Sequence, residues 1–229
     1  MRAVLLFARS PQREAVAKRL PHGASLFRSV VAAWLRGAVA NDAVPLIACA
    51  SEDREELAAI EPSVSREWLE QRGDTFGDRV ADATTVAFTR GFASVIVAAI
   101  DAPPVALDVA FAHLERGRSV IAPSRDGGIN FIGLTAPESR LLSRFTPHRR
   151  DLVALCRRWF EHLVVLDAVT DVDSEAAMTI ARRERAWRGY FESESQPIAY
   201  EIAMPLSRRD ATLPTRAPPG GRGRPPLHR

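Results

Sequence analysis

Four aspartates stand where apolar runs give way to loops. Asp101 follows Val95-Ile-Val-Ala-Ala-Ile100. Asp126 lies in the turn that ends Val120-Ile-Ala-Pro-Ser-Arg125, and two glycines, Gly127 and Gly128, come next. Asp171 and Asp173 come shortly after Leu163-Val-Val-Leu-Asp167. Two acids at the carboxyl ends of neighbouring strands suit a metal–diphosphate site, because a hard cation takes oxygen ligands and Mg²⁺ would neutralise a diphosphate. Asp171 and Asp173 alternate on an extended segment, which puts both carboxylates on one side. The adjacent glycines let backbone approach another group closely.

Each of these residues also has a plain structural reading. Asp101 precedes Ala102-Pro103-Pro104 and a helical stretch, so it also suits a helix N-cap. Asp126-Gly127 is a common hairpin turn. Asp173 with Ser174 suits a cap for the helix that opens there. Arg79, in Gln71-Arg-Gly73-Asp-Thr-Phe-Gly77-Asp-Arg79, is placed either to pair with a phosphate or to sit solvated on a surface loop. Lys18 is the only lysine among 31 basic residues. It lies just after the first strand, where a phosphate-binding lysine belongs in a nucleotide-binding α/β protein, though codon bias alone would also leave one.

The elements that must position these side chains alternate in type. Strand signals fall at 3–8, 45–50, 94–100, 119–122, 130–134 and 163–167. Helical stripes run through Leu26, Phe27, Val30, Val31, Trp34 and Leu35; through Phe76, Val80, Ala83, Ala87 and Phe88; and through Leu152, Leu155, Cys156, Trp159, Phe160 and Leu163. Gly37 and Gly91 read as helix ends, and Pro103-Pro104 precedes a helix running toward Gly117. The alternation predicts a mainly parallel sheet with helices on both faces. In such sheets ligands bind beyond the carboxyl ends of the strands, where Asp101 and Asp126 lie.

Composition narrows the classes. A chain of 229 residues, 46% hydrophobic and 26% charged, suits one α/β domain, expected over 1–205. Cys49 and Cys156 read as buried free thiols, which points to a reducing compartment and a cytoplasmic protein. Ala3-Val-Leu-Leu-Phe-Ala8 is too short for a signal peptide and suits a core strand, and no apolar stretch is long enough for a membrane span. Residues 206–229 hold six arginines against one acid, so the basic excess belongs to a Pro/Gly/Arg-rich tail expected to be disordered. No aromatics interleave with those arginines, so nucleic acid is not the expected partner. The five histidines lack metal-ligand spacing, and no Ser-His-Asp or Cys-His pattern appears, which argues against zinc and nucleophilic-hydrolase chemistry.

In their order and spacing the segments resemble DUF2064, a bacterial family with the glycosyltransferase-A-like fold, a Rossmann-like three-layer sandwich. The matching positions are Gln71, Gly73, Gly77 and Arg79; Asp101 and Pro103; Pro123, Asp126, Gly127, Gly128, Ile132, Gly133 and Leu134; and Asp171-Val172-Asp173-Ser174. The resemblance implies a transferase that uses a nucleotide or nucleotide-sugar, a small-molecule acceptor and Mg²⁺ or Mn²⁺. Asp101 would be the principal metal ligand, supported by Asp171 and Asp173. Asp126 would orient the acceptor or act as base, and Lys18, Arg19 and Arg79 would contact phosphates, with Gly127 and Gly128 at the nucleotide. Nucleotidyl transfer is a second implication, since Gly127-Gly-Ile-Asn130 is close to the Gly-Gly-Thr-Asn run of phospholactate nucleotidyltransferases. The chain departs from the family at Glu14, which replaces a glycine, and at Pro104 and Ala177, which replace acids. Tyrosines are replaced by Ile129 and Asn130, and the family lysine is displaced by one place to Lys18. Glu14, Pro104 and Ala177 motivate a third reading, a degenerate non-catalytic relative that binds a nucleotide or partner as a scaffold.

Overall fold

Each apolar run forms a strand of one seven-stranded sheet, and each amphipathic stripe forms a helix laid against it. The computed structural model describes residues 1–147 and 149–192; the boundary expected at 205 and the tail beyond it lie outside them. The strands are β1 (Arg2–Phe7), β2 (Ala43–Cys49), β3 (Glu67–Glu70), β4 (Ser94–Ala98), β5 (Ser119–Pro123), β6 (Ile129–Leu134) and β7 (Leu163–Val165). The helices are α1 (Pro11–Ala17), α2 (Gly23–Ala40), α3 (Arg54–Ala58), α4 (Phe76–Thr89), α5 (Leu107–Leu114), α6 (Ser139–Leu142), α7 (Leu152–Trp159), α8 (Glu175–Ala181) and α9 (Arg188–Glu192).

The strand order is β3-β2-β1-β4-β6-β5-β7, with β6 antiparallel to both neighbours and the remaining pairs parallel. The order reverses between β1 and β4, so the loops leaving those two strands part and open a crevice at the carboxyl edge. Two apolar layers flank the sheet. Residues of α1, α2, α5 and α9 cover one face. Residues of α4, α6 and α7 cover the other. This is the expected three-layer α/β architecture.

In α2, Leu26, Phe27, Val30, Val31, Trp34 and Leu35 are all fully buried. Burying each such side chain contributes about 1.5–3 kcal/mol, so this stripe is a main anchor of its layer. Three local expectations are corrected. Gly37 lies inside α2, which continues to Ala40. Helix α7 stops at Trp159, and Leu163 opens β7 rather than closing the helical stripe. An edge strand, β3, appears where no apolar run announced one. Its sequence is Glu-Trp-Leu-Glu, and only Leu69 is buried, as suits a short edge strand guarded by charge. Among the described residues no helix is long and apolar enough to cross a membrane. Both cysteines are buried free thiols.

Candidate functional site

Three of the predicted acids meet beyond the carboxyl ends of the strands. One carboxylate oxygen from each of Asp126, Asp171 and Asp173 lies within 4.8 Å of the others. The segment carrying Asp171 and Asp173 runs beside the end of β5, where Ser124 bridges Val169 in parallel and the Val169 N–H donates to the Pro123 carbonyl at 3.1 Å. The Val172 N–H donates to the Asp101 carbonyl at 2.8 Å, which ties the segment to the end of β4 as well. Val172 is fully buried. Its side chain holds the core side of the extended segment, which leaves the carboxylates of Asp171 and Asp173 on the other side. Ser174 is the N-cap of α8, accepting from the Ala177 N–H at 3.2 Å, so the cap and the acidic group use different residues.

Asp126 belongs to a hairpin and to the acidic group at once. Strands β5 and β6 pair antiparallel, and the Asp126 carboxylate accepts the Gly128 N–H at 2.9 Å within the turn. Gly127 has φ +96°, and a Cβ there would lie 2.2 Å from the Arg150 carbonyl oxygen. The close approach that the glycine permits is therefore made by the protein's own chain. Gly77 is similar: a Cβ would lie 2.5 Å from the Ser143 carbonyl oxygen, so it lets α4 pack against the end of α6. The Gln71 side chain donates to the carbonyls of Ala48 at 2.9 Å and Ala8 at 3.3 Å, holding the ends of β2 and β1 together.

Asp101 stands outside the group of three. The helix after it is capped at Ala106, so Asp101 is not its N-cap. Its carboxylate accepts from the Lys18 ammonium at 2.7 Å, across the crevice between β4 and the β1 loop. Lys18 is also 3.4 Å from Glu14, one turn earlier on α1. Burial alone would lower the Lys18 pKa, but Asp101, Glu14 and Asp171 outweigh it and push it up to about 12. Burial raises the Glu14 carboxyl, and Asp101 adds to this against the pull of Lys18. Arg19 is exposed at the end of α1 with φ +56°, and Arg79 is half-buried in the first turn of α4. Among the described residues, neither forms an ion pair with these acids.

Asp171 carries the clearest electrostatic signature. Burial, with Asp101 and Asp126 acting in the same direction, raises its carboxyl to about 6, while a hydrogen bond from the Ser124 hydroxyl opposes the shift. A group with such a raised pKa gains from a cation that offsets the repulsion among its neighbours. The donor set is all carboxylate oxygen, which fits Mg²⁺ or Mn²⁺ and not a soft metal.

Several supporting residues carried no functional signal in the sequence. The buried Trp34 indole donates to the Ala102 carbonyl at 2.8 Å, and the buried Trp187 indole donates to the Thr170 carbonyl at 2.7 Å. Each tryptophan thus fixes the backbone beside one candidate acid, Asp101 in one case and Asp171 in the other. Glu184 accepts from the Thr170 N–H at 3.0 Å and from its hydroxyl at 2.7 Å, and pairs with Arg125. Ser124 is buried beside Asp171. Asn130 is also buried, and its amide donates to the carbonyls of Val169 at 2.8 Å and Pro123 at 3.2 Å. It braces the hairpin to the acidic segment. A groove of about 400 Å³ lies elsewhere, beside β3, lined by Cys49, Arg54, Trp68, Arg72 and Arg90 among others, with none of the candidate residues in its wall.

The fold is α/β, of the glycosyltransferase-A type. A protein from Desulfovibrio desulfuricans G20, provisionally named a nucleotide-diphospho-sugar transferase, superposes with a TM-score of 0.66 at 21% identity, covering 84% of this chain and 95% of that one. A 4-diphosphocytidyl-2C-methyl-D-erythritol synthase from Anaerococcus prevotii superposes with a TM-score of 0.54 at 11% identity, covering 79% and 96%. A nucleotidyl transferase from Methanothermobacter thermautotrophicus gives 0.53 at 12% identity, covering 84% and 98%. The resemblance seen in the motifs holds: the model of DUF2064, described as uncharacterised proteins conserved in bacteria, matches residues 35–146. That stretch takes in Gln71 through Arg79, Asp101 and the Asp126 turn, and leaves out Lys18 and the Asp171 segment. No curated protein matches the chain in sequence.

Proposed function

We propose that the protein is a transferase that takes a nucleotide or nucleotide-sugar, together with Mg²⁺ or Mn²⁺, and acts on a small-molecule acceptor. The observation that carries this reading is the convergence of Asp126, Asp171 and Asp173 within 4.8 Å at the carboxyl edge of the sheet. Asp126, Asp171 and Asp173 would hold the cation, which when bound supplies charge neutralisation for a diphosphate. Asp101 faces the same crevice and orders Lys18 there. Lys18, Arg19 and Arg79 are the cations on hand for the phosphates, and the Gly127-Gly128 turn sets the position of Asp126 relative to a ligand. Asp126, the exposed acid of the hairpin, is placed to orient the acceptor or to take its proton. Catalysis would rest on holding donor and acceptor in line and on balancing charge.

Electrostatics supports a required cation. Glu14 and Asp101 pair with Lys18 and Arg9 reaches Glu14, while Asp126, Asp171 and Asp173 form no ion pair among the described residues, so these acids disfavour a free diphosphate. Asn130 spends its amide on two backbone carbonyls and so braces the turn. Glycosyl transfer is the first reading and nucleotidyl transfer the second, and the product released separates them.

A thermal-shift screen of nucleotides and nucleotide-sugars with Mn²⁺ tests the reading, since a ligand of the native state raises Tm by linkage. With the hit in hand, turnover that releases a nucleoside diphosphate supports glycosyl transfer. Release of pyrophosphate from a nucleoside triphosphate establishes nucleotidyl transfer instead. An Asp101→Asn protein with full turnover removes Asp101 from the site, and a screen without any metal-dependent hit leaves the scaffold reading.

A further inference from the structure

The Lys18 ammonium has three N–H donors, and the chain already engages it from two sides. Asp101 accepts at 2.7 Å and Glu14 sits at 3.4 Å. Both Lys18 and Glu14 have side chains only 13% exposed, so water screens the pair poorly. The charged groups facing Lys18 are Glu14 from α1, Asp101 from the end of β4 and Asp171 from the extended segment, while Arg9, in the β1 loop, reaches Glu14 at 3.6 Å. Of the acids around Lys18, Glu14 is the one outside the β4 and β5 edges that carry the other candidate carboxylates. It comes from the same short helix as the lysine, four residues away, so its carboxylate travels with the ammonium.

We propose that Glu14 is a resident competitor for the Lys18 ammonium and so determines how tightly the site takes a diphosphate-bearing ligand. The inference rests on the reading of this crevice as a nucleotide site. An incoming phosphate either displaces the Glu14 carboxylate from Lys18 or binds beside it against its charge. In both cases Glu14 weakens binding of the bare anion. A ligand that arrives with its divalent cation already bound loses less, because its net charge is lower. Glu14 thereby makes the site selective for the metal complex of a diphosphate over the free diphosphate.

Lys18, as the only lysine, gives a single-residue probe. The full chain labelled with ¹³C-lysine shows one lysine Cε resonance, which is followed on addition of inorganic pyrophosphate with and without Mg²⁺, alongside calorimetric affinities. The wild type, Glu14→Gln, and Glu14→Gln with Lys18→Met are compared, and their Tm values report folding. Glu14→Gln is expected to bind free pyrophosphate about tenfold more tightly than the wild type, the size of one charge interaction near a surface. Its lysine resonance should move on binding, and the Lys18→Met change should abolish the gain. Equal affinity of wild type and Glu14→Gln overturns the proposal and leaves the nucleotide reading intact. A gain that survives Lys18→Met overturns it too. If no protein in the set binds pyrophosphate in either condition, this inference and the nucleotide reading fall together.

Discussion

The Val172 N–H donates to the carbonyl of Asp101 at 2.8 Å, and this bond joins the two halves of the site. On one side lies the end of β4, where Asp101 meets Lys18. On the other lies the extended segment that delivers Asp171 and Asp173 to Asp126. Because Val172 is buried between two acids, the bond and the apolar contact together set the direction of both carboxylates.

Asp171 is held near neutral pH at a cost to the apo fold. Its folded pKa of about 6 exceeds its unfolded value, so the native state binds the extra proton and the apo fold loses stability as pH rises from about 4 to about 6. Asp171→Asn keeps an oxygen for the Ser124 hydroxyl and removes the repelling charge. We expect the apo variant to be more stable than the wild type at pH 7.5 by on the order of 1–2 kcal/mol. Chemical denaturation in the presence of EDTA measures this, and no gain would mean that the strain on Asp171 is absent.

The same titration predicts how the metal responds to pH. Cation binding competes with the proton on Asp171, so Mn²⁺ affinity should rise between pH 5 and 7 and level off above about 7. Calorimetry in buffers of different ionisation enthalpy should show proton release near pH 6. A flat profile across that window would detach Asp171 from the metal.

Ser124 acts through Asp171. Its hydroxyl donates to the carboxylate and opposes the upward shift, so Ser124→Ala should raise the Asp171 pKa further. At pH 6.5 the loss should weaken Mn²⁺ binding by about threefold to tenfold, as expected for one hydrogen bond to a charged group. At pH 8.5 the difference should shrink, because the aspartate is then ionised in both proteins. A defect independent of pH would point to packing instead.

Gly127 cannot carry a side chain. An alanine there would be strained at φ +96° and would drive a Cβ into the Arg150 carbonyl. Gly127→Ala should lower stability by about 2–4 kcal/mol, combining the backbone penalty with the displaced segment. Urea unfolding gives the number. A loss of under half a kcal/mol (roughly the level of an ordinary surface change) would show that the Arg150 segment moves aside freely.

Much of this arrangement is legible in the sequence, and the unread parts have physical causes. Strands β1, β2, β4, β5 and β6 are each built around an apolar run, interrupted in β6 by Asn130, because buried strands need apolar side chains on both faces. β3 gives no such signal, because an edge strand with one buried leucine has no apolar run. Asp126, Asp171 and Asp173 were visible as acids at the ends of apolar runs. That they form the closest group, with Asp101 turned to Lys18, depends on crossing distances that no spacing encodes. Glu14 was readable only as a departure from a motif. The roles of Trp34 and Trp187 were hidden because an indole in an apolar stripe looks like core, and its N–H partner is a backbone carbonyl far along the chain. Glu184 was hidden for the same reason: it acts on Thr170, fourteen residues away.

In the proposed function Asp126, Asp171 and Asp173 hold a divalent cation through which a nucleotide binds. The electron paramagnetic resonance signal of free Mn²⁺ measures it most directly, by titration of the full chain at pH 7.5 before and after Asp171→Asn. One Mn²⁺ is expected to bind per wild-type chain, with at least tenfold weaker binding in the variant, in line with the loss of one charged ligand. Equal Mn²⁺ uptake by the two proteins, or none by the wild type, would contradict it.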